Sequence, residues 1–182
     1  MTRELYYDVV IAGCGVAGLY TALSLPRDKK ILMLSKEDLA SCDSMLAQGG
    51  ICVLRDECDF DAYFEDTMRA GHYENRVESV EIMINASRGI IDHLLELGVR
   101  FDKNEDGSLA YTREGAHSKP RICFHKDITG EEITTTLLSH VQKLDNVTLM
   151  AYTTMTDIIV ENDTCVGIKA VTREGSPLEL YA

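Results

Sequence analysis

The segment from Asp8 to Ser35 constrains this chain more than any other. Asp8-Val9-Val10-Ile11-Ala12 is a short continuous apolar run, the pattern of a strand buried on both faces. Gly13-Cys14-Gly15-Val16-Ala17-Gly18 follows at once. Val16 to Leu25 then reads as a helix that Pro26 stops, and Lys30 to Ser35 carries a second apolar strand, Ile31-Leu32-Met33-Leu34. Strand, glycine turn, helix and strand make a βαβ unit, which commits the chain to an α/β, Rossmann-like fold with a parallel sheet.

A lone GxGxxG is weak evidence, but here it stands after a strand and opens a helix, as the chemistry of a dinucleotide site requires. Gly13 permits the tight turn, Gly15 lets backbone approach a pyrophosphate, and Gly18 lets helix and strand pack closely. The first-turn N–H groups, Val16 and Ala17 among them, and the positive end of the helix dipole face the phosphates. The acidic residue expected about 20 residues on, for ribose hydroxyls, is missing. Ser35-Lys36 stands there, with Glu37 and Asp38 after it. Ser35 can hydrogen-bond a ribose, and taken alone Ser35-Lys36 would favour NADP.

The rest of the chain alternates helices and strands. Asp59 to Arg69 reads as a helix with Phe60, Tyr63, Phe64 and Met68 at helical spacing. Val77 to Leu97 is a long amphipathic helix, with Val80, Ile84, Ile91, Leu94 and Leu95 on one face and Gly98 as its C-terminal cap. Arg121 to Phe124 reads as a short strand, and Glu131 to Lys143 as a helix with Ile133, Leu137, Leu138 and Val141 inward. Strands are expected at Val147–Ala151, Thr156–Glu161 and Cys165–Thr172, with Asn162-Asp163 as a hairpin turn. Leu178 to Ala182 reads as a strand with no cap or tail after it, which points to a fragment of a longer chain.

A formal net charge of −12 argues against nucleic acid and anionic membranes as partners, though not against an anionic cofactor held by backbone N–H groups. No apolar run reaches the roughly 18–20 residues of a membrane span. With no signal peptide at the N-terminus, the six cysteines read as free thiols in a cytoplasmic protein, and no Cys/His spacing marks a metal site. The acidic run Glu57, Asp59, Asp61, Glu65, Asp66 reads as a solvated helix face. His72, His93, His125 and His140 read as surface or helix residues.

Four further segments carry a resemblance. Ser44-Met45-Leu46-Ala47-Gln48-Gly49-Gly50 resembles the flavin-contacting loop of the succinate dehydrogenase and fumarate reductase flavoprotein superfamily, and the Gln form of Ala47-Gln48-Gly49-Gly50 resembles its L-aspartate oxidase branch. Leu97-Gly98-Val99-Arg100-Phe101-Asp102 and Arg113-Glu114-Gly115-Ala116-His117-Ser118 are similar to that branch too, the second with Ala116 where the family has Gly. Asp127-Ile128-Thr129-Gly130 matches the family's Asp-x-Thr-Gly before a helix. The similarity runs from Tyr7 to Tyr181.

The resemblance implies that residues 1–182 are the N-terminal part of an FAD-binding domain, with the capping and C-terminal domains outside this chain. Gly13, Gly15, Val16, Ala17, Gly18, Ser35, Lys36, Ser44, Ala47, Gln48, Gly49 and Gly50 are the expected FAD contacts. Asp43 stands where some relatives link FAD covalently through His, which implies non-covalent binding. Glu114 stands where succinate and fumarate enzymes usually carry Gln. A carboxylate there would pair with the ammonium of L-aspartate or a related amino dicarboxylate, and His117 is a possible second contact. The implied activity is oxidation of L-aspartate to iminoaspartate, with electrons passed to dioxygen or fumarate, on the quinolinate route to NAD. The carboxylate clamps would lie beyond Ala182, so these residues alone are expected to be inactive. The alternatives are a soluble fumarate reductase or succinate dehydrogenase flavoprotein, and a nucleotide-binding module without redox work.

Overall fold

The computed structural model describes residues 5–182. In chain order the elements are β1 (Leu5–Tyr6), β2 (Val9–Ala12), α1 (Val16–Ser24), β3 (Ile31–Leu34), α2 (Asp43–Leu46), β4 (Ile51–Cys52), α3 (Phe60–Ala70), α4 (Val77–Glu96), β5 (Ile122–Cys123), α5 (Thr129–Val141), β6 (Val147–Met150), β7 (Thr153–Glu161), β8 (Thr164–Thr172) and β9 (Pro177–Tyr181). One 3₁₀ turn, Glu57–Asp59, leads into α3. The chain divides into two compact units, residues up to Met45 with Thr134–Ala182, and Leu46–Ile133.

The first unit holds the βαβ core. Strands β2, β3 and β6 form a parallel sheet in that order, with Val10 paired to Leu32 and Leu32 to Thr148. The all-apolar run of β3 is explained by its central place, since Ile31, Leu32, Met33 and Leu34 are at most 2% exposed. Burying each such side chain contributes about 1.5–3 kcal/mol. Strands β7, β8 and β9 form an antiparallel meander, and β1 adds in parallel to β9. Ile168, Ala170 and Leu180 of the meander close a core with Leu32 and Leu34 of the parallel sheet. Asn162 and Asp163 both take positive φ, 48° and 60°, as a two-residue hairpin between β7 and β8 requires.

The second unit is a helical pair with a small sheet. Tyr63 and Met68 of α3 pack on Val80 and Ile84 of α4, with Phe60, Phe64, Cys52 and Leu54 at the margin. Helix α4 ends at Leu97–Gly98, where the Gly98 and Val99 N–H groups bond back to Leu95 and Leu94 carbonyls at 2.9 Å each. Strands β4 and β5 pair antiparallel, Ile51 opposite Cys123.

Four expectations need correction. Strand β7 begins at Thr153, not Thr156, because the Thr153 N–H bonds to the Ser35 carbonyl at 2.8 Å and its side chain is buried. Helix α5 begins at Thr129, two residues early, and the buried Thr129 hydroxyl accepts the His125 N–H at 3.0 Å. The acidic run is a solvated face only in part: Glu57, Asp61 and Glu65 are exposed, but Asp59 and Asp66 are 4% and 3% exposed. His125 is likewise not a surface residue, its ring lying 3.3 Å from the Asp102 carboxylate.

Candidate functional site

In the first unit, the glycine turn has the form that its sequence demands. Gly13 takes φ +117°, a conformation that side chains resist. A Cβ at Gly18 would press on the Gly13 carbonyl oxygen, so helix α1 can approach the turn only with glycine there. Gly15 is the N-cap of α1 and offers no side chain to its first turn. The N–H of Val16 instead points at the Ser44 hydroxyl, 3.2 Å away. Ser44 thus stands at the helix N-terminus with Gly15 and Val16. A bare glycine edge against a nine-residue helix opening fits a pyrophosphate.

At the end of β3, Ser35 is buried and its hydroxyl donates to the Asp38 carbonyl at 2.9 Å, which ties it into the following turn. Lys36 is exposed and borders a recess of about 260 Å³ with Ala12, Gly13 and Thr153. Burial pushes the Cys14 thiol up to about 11, so it stays protonated inside the turn.

In the second unit, the Ala47–Gly50 loop is anchored at both ends. The Gly130 N–H, in the first turn of α5, donates to the Ala47 carbonyl at 2.9 Å. Gly50 lies so close to β5 that a Cβ would strike the Cys123 carbonyl and the Ile122 side chain. Ala47, Gln48 and Gly49 are exposed. The Glu114 carboxylate comes over Gly49, with Oε2 3.3 Å from where a Cβ would stand. Glu114 is exposed, and its backbone carbonyl accepts the His117 N–H at 3.3 Å.

His117 joins a buried polar cluster. Its Nε2 is 3.0 Å from Cys52 Sγ, and its Nδ1 is 3.0 Å from Nη1 of Arg121. Arg121 is fully buried. Its Nε and Nη2 donate to the two Asp59 oxygens at 2.9 Å each, and its Nη1 to Asp66 at 2.7 Å. Ser118 donates its N–H and hydroxyl to the same Asp66 oxygen at 2.6 Å each, and Lys119 lies 3.2 Å from Asp59. Hydrogen bonds from Arg121 hold the Asp59 carboxyl below the usual range against burial, with Lys119 helping. Burial pushes Asp66 up, but bonds from Ser118, Arg121 and Arg69 outweigh it and hold that carboxyl well below the usual range. Burial, then the Arg121 charge, lowers the His117 pKa, against the pull of Asp66, Asp59 and Glu114. Burial raises the Cys52 thiol.

A cavity of about 650 Å³ opens beside this cluster, lined by Gly50, Cys52, Tyr63, Asp66 and His117 among others. The other family-like segment, Leu97 to Asp102, serves structure. Val99 and Phe101 are buried, and Arg100 holds Glu132 of α5 through Nε and Nη2 at 2.9 and 2.8 Å. Asp59, Asp66 and Arg121 were missed as site-supporting residues. The spacing of Asp59 and Asp66, with Tyr63 between them, was the available signal, since it sets the last residue of the 3₁₀ turn and Asp66 of α3 on the same side as the buried Tyr63.

The match to known proteins is broad. A family model described as "FAD binding domain" matches residues 8–181. The chain is 43% identical over 175 residues to an L-aspartate oxidase of Clostridium perfringens, covering 96% of this chain and 39% of that protein. It is 46% identical over 164 residues to an L-aspartate oxidase of Clostridium acetobutylicum, covering 90% and 38%. The chain therefore spans under two fifths of the length of these relatives. Among solved structures, an E. coli quinol fumarate reductase matches with a TM-score of 0.93 at 23% identity, over 99% of this chain and 32% of that one. A Mycobacterium smegmatis Sdh1 complex matches at 0.89 and 25%, over 99% and 33%. These likenesses confirm the α/β fold with its parallel sheet, and the family match confirms the expected cofactor. By sequence, by fold and by the glycine turn that both require, the chain belongs to the FAD binding domain family.

Proposed function

We propose that these 182 residues are the N-terminal part of the FAD-binding domain of an enzyme that oxidises L-aspartate to iminoaspartate, passing the electrons to dioxygen or fumarate. The capping and C-terminal domains of that enzyme lie outside this chain. The observation that carries the reading is the Glu114 carboxylate, 3.3 Å from the Cβ position of Gly49 in the flavin-type loop. An ammonium group distinguishes aspartate from succinate, and a carboxylate at that place pairs with it where a neutral amide does not. The similarity to two L-aspartate oxidases supports the same substrate.

FAD, bound without a covalent link, supplies the two-electron acceptor for a hydride leaving the substrate α-carbon. Gly13, Gly15, Val16, Ala17 and Gly18 would hold its pyrophosphate, with Ser44 at the same helix end. Ser35 and Lys36 would border its ribose, and Ala47, Gln48, Gly49 and Gly50 would lie against its ring. This chain's own residues then bind and orient: Glu114 takes the ammonium, and His117 offers a polar contact nearby. Free cysteines among the described residues suit a reducing compartment, and we place the enzyme in the cytoplasm. Among the described residues no helix is long and apolar enough to cross a membrane.

The test is an oxygen-electrode assay of the full-length protein loaded with FAD. Oxygen uptake and peroxide with L-aspartate, and none with succinate, are expected. No uptake and no anaerobic reduction of the flavin by L-aspartate, alongside reduction of fumarate by the chemically reduced protein, would replace the proposal with a fumarate reductase.

A further inference from the structure

We propose that Arg121 is a positioning residue that fixes His117 as a neutral imidazole in the Nε2–H tautomer, so that His117 acts as a hydrogen-bond donor at the cavity it lines. A guanidinium donates and never accepts, and it does not deprotonate in proteins. Arg121 Nη1 stands 3.0 Å from His117 Nδ1, so that ring nitrogen must present its lone pair. The one proton of the neutral ring then lies on Nε2, which is 3.0 Å from Cys52 Sγ. A second proton on Nδ1 would set N–H against N–H and cation against cation.

The rest of the cluster keeps Arg121 from yielding. Its Nε and Nη2 are both committed to Asp59 at 2.9 Å, and Nη1 is shared with Asp66 at 2.7 Å. The side chain is fully buried. A residue so held cannot turn away from His117 without giving up three charge-assisted bonds to two buried carboxylates. The groups facing the ring come from every neighbouring element. Cys52 stands on β4, Asp59 in the 3₁₀ turn, and Tyr63 and Asp66 on α3, the Tyr63 ring edge-on with centroids 5.7 Å apart. Arg121 and Glu114 stand on the chain either side of His117. Burial and the Arg121 charge lower the histidine, the three carboxylates oppose them, and the balance lies on the neutral side. Cys52, raised by burial, remains a thiol and accepts the Nε2–H.

The ligand chemistry follows. The Nε2–H rests on Cys52, a weakly accepting thiol that lines the same cavity of about 650 Å³, so a carbonyl or carboxylate oxygen entering there replaces it as the better acceptor, whereas a group that needs a proton taken away finds no base. That the oxygen belongs to the oxidised dicarboxylate rests on the oxidase reading above; the tautomer does not.

The experiment uses full-length protein with FAD and imidazole-¹⁵N histidine, the His117 signals being assigned by their loss in His117→Gln. At neutral pH the spectrum is expected to show Nε2 protonated and Nδ1 bare, with conversion to imidazolium only below the range of an ordinary histidine. An Nδ1–H tautomer, or imidazolium at neutral pH, would overturn the proposal. In Arg121→Lys, which keeps the charge and loses the fork, a folded protein should show mixed tautomers. An unchanged His117 spectrum in that variant would refute the positioning role. Should the variant not fold, the wild-type spectrum decides. If L-aspartate fails as substrate while Nε2–H is seen, the oxidase reading falls and the tautomer stands.

Discussion

Arg121 and Asp66, 55 residues apart in sequence, meet at 2.7 Å with side chains 0% and 3% exposed. The pair ties the segment after His117 to helix α3, and Ser118 adds two donors to the same Asp66 oxygen. Removing the carboxylate leaves a buried guanidinium short of a partner. Asp66→Ala is expected to lose about 3–5 kcal/mol of stability, read from urea unfolding midpoints. A loss under about 1 kcal/mol would show the cluster to be solvated, as the acidic run alone suggests.

The same cluster sets an acid limit. Asp59 and Asp66 have folded pKa values below their unfolded values. Their contribution is therefore complete above the unfolded value near 4, and is lost as pH falls through the folded values. His117, also lowered, contributes in the same sense: the folded state binds fewer protons than the unfolded, so stability begins to fall below about pH 6.5. Unfolding free energy measured against pH should decline in two stages, and His117→Gln should remove the upper one. A curve for His117→Gln that keeps the upper decline would assign it to another group.

Gly18 is the second structural test. Its Cα faces the Gly13 carbonyl so closely that no Cβ fits without moving α1 off β2. Gly18→Ala is expected to destabilise by about 1–3 kcal/mol, as overpacking does, and to weaken FAD retention on gel filtration of the full-length protein. Unchanged stability with unchanged flavin content would contradict the close approach.

The βαβ unit was legible because its information is local. The apolar run, the glycine spacing and Pro26 all lie within about 30 residues, and they fixed β2, α1 and β3 within a residue or two. The Asn162-Asp163 hairpin was legible for the same reason. What escaped depends on distant partners. The spacing of Asp59 and Asp66 with Tyr63 hints at burial, but Arg121, the cation that makes burial tolerable, lies 55 or more residues away, so by charge alone their carboxylates read as solvent-facing. Strand β1 pairs with β9 across nearly the whole chain, and Leu5-Tyr6 alone is too short to signal a strand. Thr129 and Thr153 begin elements because each is buried and hydrogen-bonded, whereas threonine in sequence marks a loop as readily as a cap. Among the candidate site residues, Gly50 has a packing reason independent of any flavin, and the Ser35 hydroxyl is already bonded within its own turn.

Glu114 is exposed and sits over Gly49, so its replacement should leave folding intact. Glu114→Gln in the full-length protein is expected to lower kcat/KM for L-aspartate roughly 10- to 100-fold, the worth of one charge-assisted hydrogen bond, and to leave dicarboxylates without an amine unaffected or improved. Equal losses on both kinds of substrate would give Glu114 a general role instead of recognition of the ammonium.

The most direct test of the account is anaerobic mixing of the full-length, FAD-loaded protein with L-aspartate and, separately, with succinate, following the visible flavin absorbance. Bleaching by L-aspartate alone is the predicted result. Bleaching by succinate alone, or by neither, would contradict an amino-acid-oxidising enzyme and leave this chain an FAD-binding domain whose substrate lies elsewhere.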